Sequence, residues 1–321
     1  MPDRIRVALA GAGAFGHEHL QRLAAMPAVE IAGIADANPA AAQEAATQYG
    51  ATQTDTDALA LIGRANPDAL IVATPGATHV PIATAALKHS IPVLVEKPVA
   101  MSLAEAQALA AAESASSAFV LPGHVIRFSA HHRMLREIVQ APDFGPILGF
   151  ASRRHRDDAH AVRYADVDPV LMTMIHDIDL GLWMTGDGLL ETYALRRPQD
   201  TARSATTMMG AGRSGTAWHL DAAWTFPGTA TPPDRIEIVG ANGSVEYEAG
   251  KCIRWFGTES GVIDLTAIPE DPLAAELGYF LNCVRTGKRP EAVTLRDACA
   301  GLAIAEAVLA SIASGKLERI G

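Results

Sequence analysis

The sequence predicts an α/β protein: a doubly wound parallel sheet in the first part of the chain, followed by an α+β domain on a large, mostly antiparallel open sheet. Two observations lead to this prediction. Early in the chain, short apolar runs alternate with alanine-rich stretches of roughly 10 to 15 residues, which is typical of βαβ units. From about residue 190 to 265, β-like runs are separated by turn residues, which favours antiparallel strands.

Five unbroken apolar runs predict the strands of the parallel sheet, because strands covered on both faces are apolar throughout. They are residues 6–11, 29–36, 69–74, 92–97 and 118–124. The stretches between them are predicted helices, and the pattern changes after about residue 122. We therefore expect a first domain over residues 1–122 and a second over residues 123–321.

The second domain is predicted to mix helices with the antiparallel sheet. Residues 171–184 have the periodicity of an amphipathic helix. Among the β-like runs, the Ala-Asn-Gly-Ser stretch at 241–244 is a strong hairpin signal. Helices return at residues 272–286 and 295–314, and no internal repeat is evident.

The charge pattern argues against nucleic acid as a partner. The formal net charge is −10, and the 26 basic residues are scattered. The one dense basic patch, residues 153–156, is followed directly by Asp157 and Asp158, so it is short and largely neutralised. It could face an anionic or polyhydroxylated small molecule, or it could be a solvated loop.

Neither a membrane span nor an export signal is predicted. The longest apolar runs fall short of the roughly 18 residues that a span needs. Glycines stand where the apolar region of a signal peptide would continue, so we expect a cytoplasmic protein. The three cysteines, Cys252, Cys283 and Cys299, form no CxxC pair, and we expect inert thiols in a reducing compartment.

The first predicted strand leads into a glycine-rich turn. Gly11, Gly13 and Gly16 fit the pattern G-x-G-x-x-G, between a strand and a helix. The first glycine allows the tight turn, the second lets a pyrophosphate approach, and the third lets helix and strand pack closely. Free N–H groups and the helix dipole favour phosphates there, so Ala14 and Phe15 are also expected at the cofactor.

The second strand ends in an acidic residue that predicts the kind of dinucleotide. Asp36 lies 25 positions after Gly11, close to the spacing at which an acid meets the adenine ribose. A carboxylate would bind the ribose 2′-hydroxyl but repel a 2′-phosphate, so NAD is expected over NADP, with NADP still possible. The alternative is that Asp36 merely caps the following helix.

Further motifs give the sequence a resemblance to a known family. They are Ala73-Thr74-Pro75 with His79, Glu96-Lys97-Pro98, Gly-His-Val-Ile-Arg-Phe at 123–128, His176-Asp177-Ile178-Asp179 and Ile-Val-Gly-Ala-Asn-Gly-Ser at 238–244. In this order the chain resembles, nearly from end to end, the glucose-fructose oxidoreductase / inositol dehydrogenase / MocA (Gfo/Idh/MocA) family. The Glu-Lys-Pro tripeptide and the His-x-x-Asp helix are the most specific parts of the resemblance.

The resemblance implies a Rossmann domain, an α+β domain whose open sheet often mediates oligomers, and nicotinamide redox chemistry on sugars or cyclitols. It implies that Thr74, Pro75, His79 and Glu96 line the cofactor. Lys97 would then lie at the nicotinamide ring, the Lys97–Pro98 bond could be cis, and His176 would reach the substrate from the second domain. No metal is implied.

Chemistry supports a role for Lys97 independently of the resemblance. Lys97 ends an apolar strand, and open α/β sheets bind their ligands at that edge. Hydride transfer from a carbinol carbon leaves a proton on its oxygen, so a base must stand there. A lysine with its ordinary pKa of about 10.4 is charged at neutral pH, and we expect partial burial beside the cationic nicotinamide to lower that pKa.

One position departs from the family pattern. Many dehydrogenases of the family have an aspartate four residues before the helix histidine, and here that position is Met172. Met172, His176, Asp179 and Trp183 are predicted to share one helix face, opposite an apolar stripe. Asp179 could support His176 in place of the missing aspartate; alternatively, the usual polyol oxidation is weakened and the pocket takes a less polar substrate or serves only as a sensor.

Other polar residues have less specific signals. Asp168 precedes Pro169 and is expected before the helix, while Asp177 points about 100° away from His176 and is expected at solvent or at a domain contact. Arg127, His155 and Arg163 are candidate donors to substrate hydroxyls or a carboxylate. Taken individually, each of them is more often a structural residue than a substrate contact.

Together these observations predict an NAD(P)-dependent oxidoreductase, with NAD preferred, that acts on a secondary alcohol or ketone of a sugar, sugar derivative or cyclitol. Lys97 would relay the proton and His176 would assist. One alternative is a dehydrogenase of a cyclic hemiacetal or a non-sugar carbonyl; another is a cofactor-binding sensor without catalysis. An open antiparallel sheet commonly pairs with its copy, so a homodimer or homotetramer is expected.

Overall fold

The computed structural model describes residues 4–198, 203–228 and 230–321. The first part of the chain forms six strands: β1 Ile5–Ala10, β2 Val29–Ala35, β3 Thr54–Asp55, β4 Ala69–Val72, β5 Val93–Glu96 and β6 Val120–Gly123. All pair in parallel, in the order β3-β2-β1-β4-β5-β6, so the predicted doubly wound sheet is confirmed. The two-residue β3 was missed, because it contains no apolar run.

Five helices connect these strands: α1 Ala14–Ala24, α2 Pro39–Tyr49, α3 Ala58–Ala65, α4 His79–Lys88 and α5 Leu103–Ser114. Local sequence explains several of their ends. The side chain of Asn38 accepts the N–H of Ala40 at the start of α2, and Pro39 occupies the first turn. Gly50 ends α2 in the left-handed conformation.

The rest of the chain alternates helices with a second set of strands. Its elements are α6 Ala130–Gln140, β7 Ile147–Asp157, α7 Asp158–Arg163, α8 Ile175–Thr185, β8 Leu189–Arg197, β9 Ala205–Gly212, β10 Ala217–Phe226, β11 Arg235–Gly240, β12 Gly243–Glu248, β13 Cys252–Phe256, β14 Gly261–Asp264, α9 Pro272–Thr286, α10 Leu295–Ser314 and β15 Glu318–Arg319. Nine strands form one sheet in the order β14-β13-β12-β11-β7-β10-β9-β8-β15. Within the described part of this sheet, only β7 and β10 pair in parallel, which confirms that the sheet is mostly antiparallel.

The helix predicted over residues 171–184 begins later than its apolar pattern suggests. Val170–Met174 form a π-helical turn, and the α-helix α8 starts at Ile175. In this turn the N–H of Ile175 reaches back to the carbonyl of Val170, which inserts one extra residue. Apolar residues continue on both sides of the insertion, so the sequence does not mark it.

Contacts divide the chain into two compact units. The first consists of the residues up to Phe128 together with Asp271–Cys299; the second consists of Ser129–Glu270 and Ala300–Gly321. The expected division after residue 122 follows chain order, whereas α9 returns to the first unit. It does so because its apolar face, including Leu277 and Phe280, is buried in the core of that unit, with the rings of Phe119 and Phe280 6.1 Å apart.

Among the described residues, α10 is the one helix whose length and composition would allow it to cross a membrane. Half of its apolar window, 50%, is already buried by the protein. A core helix passes the same test, so this helix is weak evidence for a membrane.

Candidate active site

The glycine turn after β1 is dictated by backbone contacts. Gly11 has a φ of +98°, and a Cβ at this position would lie 2.5 Å from the carbonyl carbon of Ala73, after β4. A Cβ on Gly16 would lie 1.9 Å from the carbonyl oxygen of Gly11. Neither position has room for a side chain, so these two glycines set the path of the chain from β1 into α1.

The second glycine faces open space instead. Gly13 is exposed, and nothing lies within 4 Å of the position that a Cβ would take there. It is the N-cap of α1, where no side chain caps the helix and the first turn holds no acidic residue. The N–H groups at this helix start are therefore available to an anion, with Ala14 and Phe15 as the first exposed residues beside it.

Asp36 is fixed against this turn. One carboxylate oxygen accepts the N–H of Ala12 at 2.7 Å, and the other accepts the N–H of Asn38 at 2.8 Å. The cap of α2 is Asn38, so Asp36 does not have the capping role considered as the alternative. A half-buried carboxylate beside the turn keeps lone pairs for a ribose hydroxyl.

The loops after β4 and β5 are tied together by one histidine. His79 is 2% exposed; its Nε2 lies 2.7 Å from the carbonyl oxygen of Thr74 and its Nδ1 lies 2.9 Å from that of Pro98. Thr74 and Pro75 lie in the first of these loops, and the hydroxyl oxygen of Thr78 lies 2.8 Å from both the Thr74 hydroxyl and the Pro75 carbonyl oxygen. His79 therefore fixes the loop after β4 relative to the loop after β5.

At the end of β5 the side chain of Glu96 turns inward. It is 6% exposed: Oε1 lies 2.8 Å from Nε2 of His19, and Oε2 accepts the N–H of Lys97 at 3.2 Å. Lys97 is partly buried, directly beyond the carboxyl end of the strand. The Lys97–Pro98 bond is cis, as expected.

In the first unit these parts fit a dinucleotide. The glycine turn supplies unobstructed N–H donors, and Asp36 supplies an acceptor for a ribose hydroxyl. The loops after β4 and β5 are fixed to each other at the carboxyl ends of the strands, where such sheets bind their ligands. No group of three or more metal-ligating side chains occurs in residues 4–198, 203–228 and 230–321.

In the second unit, α8 carries His176 and Asp179. His176 is half-buried, and Asp179 is buried three residues later on the helix. Met172 lies in the π-helical turn, and its N–H donates to the carbonyl of Asp168 at 2.9 Å. Asp168 forms a two-fold hydrogen-bonded pair with Arg196, at 2.6 and 2.7 Å, so its carboxylate is engaged before the helix begins.

The expectation for Asp177 was wrong. Asp177 is 1% exposed and accepts hydrogen bonds from Ser152 at 2.7 Å and from Arg154 at 3.0 Å. Arg154 also pairs with Asp234, which Arg156 contacts from the surface side. This group, the Arg154 cluster (Arg154, Asp177, Asp234), fixes the orientation of α8 on the sheet, because it pins the residue next to His176.

The electrostatics of the Arg154 cluster are strong. Burial alone would raise the pKa of Asp234, but the positive charges of Arg154 and Arg156 lower it below its ordinary value. Desolvation and the charge of Arg154 lower the pKa of the buried His132 to about 3, so this histidine is neutral. Its Nδ1 lies 2.8 Å from the hydroxyl of Ser129.

The candidate substrate residues are in different settings. Arg127 is buried; it donates to the carbonyl of Ala292 at 3.1 Å and pairs with Asp297 at 3.6 Å. His155, on β7, stacks on Phe226, and desolvation together with the charge of Arg153 lowers its pKa. Arg163 is exposed at the end of α7. Their contact with substrate stays a prediction.

Comparison with known families gives two matches in chain order. Residues 5–124 match the oxidoreductase family with an NAD-binding Rossmann fold, GFO_IDH_MocA, and residues 132–246 match the C-terminal domain of the same family. The chain belongs to the Gfo/Idh/MocA family. Its first part is therefore an NAD-binding Rossmann domain, as the glycine turn predicted.

Individual members of the family differ in their similarity to this chain. A 4-carboxy-2-hydroxymuconate-6-semialdehyde dehydrogenase from Sphingobium is 36% identical over 60% of this chain, and an inositol 2-dehydrogenase from Rubrobacter xylanophilus is 27% identical over 99% of this chain and 94% of its own. The crystallised UDP-N-acetylglucosamine 3-dehydrogenase of Acidithiobacillus ferrooxidans is 25% identical, with a TM-score of 0.85 over 97% of this chain and 98% of its own. Matches to three curated relatives span 60, 56 and 63% of their length.

Within this Gfo/Idh/MocA protein, sequence reasoning missed two sets of buried polar residues. One is the Arg154 cluster; the other, here called the Glu96 cluster, consists of His19, Glu96 and Glu276. Signals for both were present. Arg154 has the same strand parity as the inward Phe150 and Ser152, and Glu276 lies on the apolar face of α9 between Leu273 and Leu277.

Proposed function

We propose that this chain is an NAD-dependent dehydrogenase that moves a hydride between nicotinamide and a secondary alcohol or ketone of a sugar, sugar derivative or cyclitol. The observation that carries the proposal is the position of Lys97 in the NAD-binding unit. Lys97 follows the buried end of β5, two strands along the sheet from β1 and its glycine turn, at the edge where such sheets bind ligands.

NAD is proposed over NADP on the basis of Asp36. Its carboxylate is held by the N–H groups of Ala12 and Asn38 beside the glycine turn. A ribose 2′-hydroxyl would donate to this carboxylate, whereas a 2′-phosphate would meet a fixed negative charge. Catalytic efficiencies with the two cofactors test this part; a clear preference for NADP would contradict it.

The proposed chemistry assigns the proton to Lys97. Bound NAD would supply the hydride acceptor for the carbinol carbon. The neutral amine of Lys97 takes the proton of the substrate hydroxyl as the carbonyl forms, and the resulting ammonium releases it to water. His176 is proposed to assist at the substrate oxygen, with Asp179 as its support.

A second candidate is a dehydrogenase of a cyclic hemiacetal or another non-sugar carbonyl. It is favoured by Met172, which stands where many family members have an aspartate for a polyol hydroxyl. It is also favoured by the relative named for a carboxylated muconate semialdehyde, which is 36% identical over 60% of this chain, against 28 and 29% for two inositol 2-dehydrogenases matched over 64 and 60% of it.

The test is NADH formation over a panel of cyclitols, sugars, lactols and carboxylated semialdehydes, with wild type and Lys97→Met. Turnover on cyclitols or sugars supports the first proposal, and turnover confined to lactols or semialdehydes supports the second. Lys97→Met should lower turnover by about a hundredfold or more while NADH binding stays nearly intact. Near-normal turnover in Lys97→Met would refute its role, and NADH binding without turnover on any substrate would favour a sensor.

We also propose that the protein forms a homodimer or homotetramer through the outer face of the nine-stranded sheet, in the cytoplasm. Tyr193 and Met209 are cross-strand neighbours on that face, and Met209 is 61% exposed. A cavity of about 300 Å³ on the same sheet is lined by both signs of charge, including Arg153 and Glu237. Light scattering of wild type and Met209→Lys tests this: an unchanged oligomer in the variant would contradict it.

A further inference from the structure

Three buried titratable side chains of the Glu96 cluster come from three elements of the first unit. His19 is on α1, Glu96 ends β5 and Glu276 is on α9. His19 and Glu276 are fully buried, and Glu96 is nearly so. The proposed chemistry at Lys97 uses none of them directly, yet Glu96 precedes Lys97 in the chain.

Glu96 uses both carboxylate oxygens to join separate parts of the unit. Oε1 contacts Nε2 of His19 at 2.8 Å, and Oε2 accepts the backbone N–H of Lys97 at 3.2 Å. The neighbouring strand makes room for this side chain at Gly123, where a Cβ would lie 3.2 Å from the carboxyl carbon of Glu96. The position of the Lys97 peptide is therefore connected to α1.

The ring nitrogen of His19 that donates to Glu96 follows from its surroundings. Nδ1 of His19 has no hydrogen-bond partner among the described residues, whereas Nε2 faces the Glu96 carboxylate. A proton on Nε2 donates to the Glu96 carboxylate, which is the arrangement that pairs this buried nitrogen.

Glu276 completes the cluster as an uncharged group. Both of its oxygens lack hydrogen-bond partners among the described residues. Burial, reinforced by the negative charge of Glu96, raises the pKa of Glu276 well above its ordinary value. The negative charge of Glu96 strengthens both hydrogen bonds that this carboxylate accepts.

We propose that His19 is a positioning residue for Lys97, acting through Glu96. It ties α1, which begins at the glycine turn and packs the ring of Phe15 against His19 at 5.2 Å, to the peptide of Lys97. Proton and hydride transfer need their donors in a fixed geometry, and small displacements cost rate steeply. The kinetic consequence rests on the proposed function of Lys97; the structural consequence does not.

The structural test is hydrogen exchange of the Lys97 amide, measured by NMR. His19→Leu removes the donor and should speed this exchange by about tenfold or more, whereas His19→Gln keeps an N–H donor and should restore the wild-type rate. The matched control is His17→Leu on the same helix, because His17 contacts Tyr49 instead of Glu96. An unchanged rate in His19→Leu, no rescue by glutamine, or an equal effect of His17→Leu would each overturn the proposal.

Should His19→Leu fail to fold, Glu96→Gln gives the same answer, because its amide replaces one of the two acceptor oxygens, Oε1 and Oε2, with an NH2 donor. It should speed the exchange of the Lys97 amide, and an unchanged rate would overturn the proposal. In the kinetic test, His19→Leu should lower kcat by about tenfold or more with NADH affinity within about twofold, and His19→Gln should recover kcat. If Lys97→Met proves fully active, the function of Lys97 fails while the exchange measurement still decides the role of His19.

Discussion

The two units each bury a polar cluster, and the two clusters handle their carboxyl groups in opposite ways. In the Arg154 cluster, Asp177 and Asp234 are both paired with a guanidinium, at distances of 2.5 to 3.0 Å. In the Glu96 cluster, Glu96 lies against His19, and no arginine or lysine side chain contacts Glu276 in the described part of the chain. Counting Arg156, which also pairs with Asp234, two carboxylates meet two guanidinium groups in the Arg154 cluster, whereas the Glu96 cluster contains no arginine or lysine.

This difference shows what each cluster is suited to. A buried carboxylate that is paired with a guanidinium holds its own helix or strand in place. Through Asp177, the Arg154 cluster holds the first turn of α8 on the sheet, and this turn also carries His176. A buried carboxylate without a cationic partner depends on nearby N–H donors. For Glu96 these are Nε2 of His19 at 2.8 Å and the peptide N–H of Lys97 at 3.2 Å.

The largest expected effect comes from breaking the balanced cluster. Arg154→Met leaves Asp177 and Asp234 buried without their shared partner, and it should lower the free energy of unfolding by about 3 to 5 kcal/mol. Urea denaturation measures this. Arg156→Met is the control: it contacts Asp234 from a partly exposed position, and its loss should stay below about 1 kcal/mol. Equal losses in the two variants would contradict the comparison.

The next effect is a pH dependence from the same region. Because the pKa of His132 is lowered to about 3 in the folded protein, the unfolded chain binds a proton that the folded chain does not between about pH 6.5 and pH 3. Stability therefore falls as pH falls, by about 1.4 kcal/mol for each unit below about pH 6. Urea unfolding at several pH values measures the slope of unfolding free energy against pH. In His132→Gln this slope should be smaller by about 1.4 kcal/mol per pH unit. A slope equal to that of the wild type would exclude His132 as the source.

The Glu96 cluster should give a pH dependence of opposite sign. Since the folded-state pKa of Glu276 is raised, the folded chain keeps a proton that the unfolded chain loses above about pH 4.3. The contribution of Glu276 is therefore fully present at low pH and is lost as pH rises toward the raised value, by at most about 1.4 kcal/mol per unit. Glu276→Gln stays neutral and should be more stable than wild type at neutral pH by urea unfolding. A variant less stable than wild type at pH 7 would mean that Glu276 is ionised.

Much of the first unit could be predicted from sequence, because local backbone rules determine it. The glycine turn, the strand before it and Asp36 each follow from short-range patterns, and the structure places them in contact. The cis bond before Pro98 was expected from the family resemblance. The one strand of this sheet that was not predicted is β3, because its two residues are too few to show a periodic pattern.

Contacts between distant parts of the chain could not be predicted in the same way. Helix α9 lies about 150 residues after β6, and its place in the first unit depends on burial of Phe280 rather than on chain order. The partners of Asp177, Ser152 and Arg154, lie on β7, more than 20 residues before it, so the helical angle of Asp177 alone suggested solvent. The partners in such a buried polar cluster are brought together by tertiary packing. The sequence shows only that a charged residue lies on an apolar face of its helix or strand, not which residue it pairs with.

The smallest expected effect concerns an ion pair of the first unit that is not buried. Arg22 on α1 pairs with Asp271 at 2.8 Å, and both side chains are partly exposed. Arg22→Ala should therefore cost only about 0.5 kcal/mol by urea denaturation, an order of magnitude below Arg154→Met. Asp271→Ala should cost about 1 kcal/mol, because Asp271 also caps α9 by accepting the N–H of Ala274. If Arg22→Ala costs as much as Arg154→Met, burial is not what separates these ion pairs, and the contrast between the two clusters loses its physical basis.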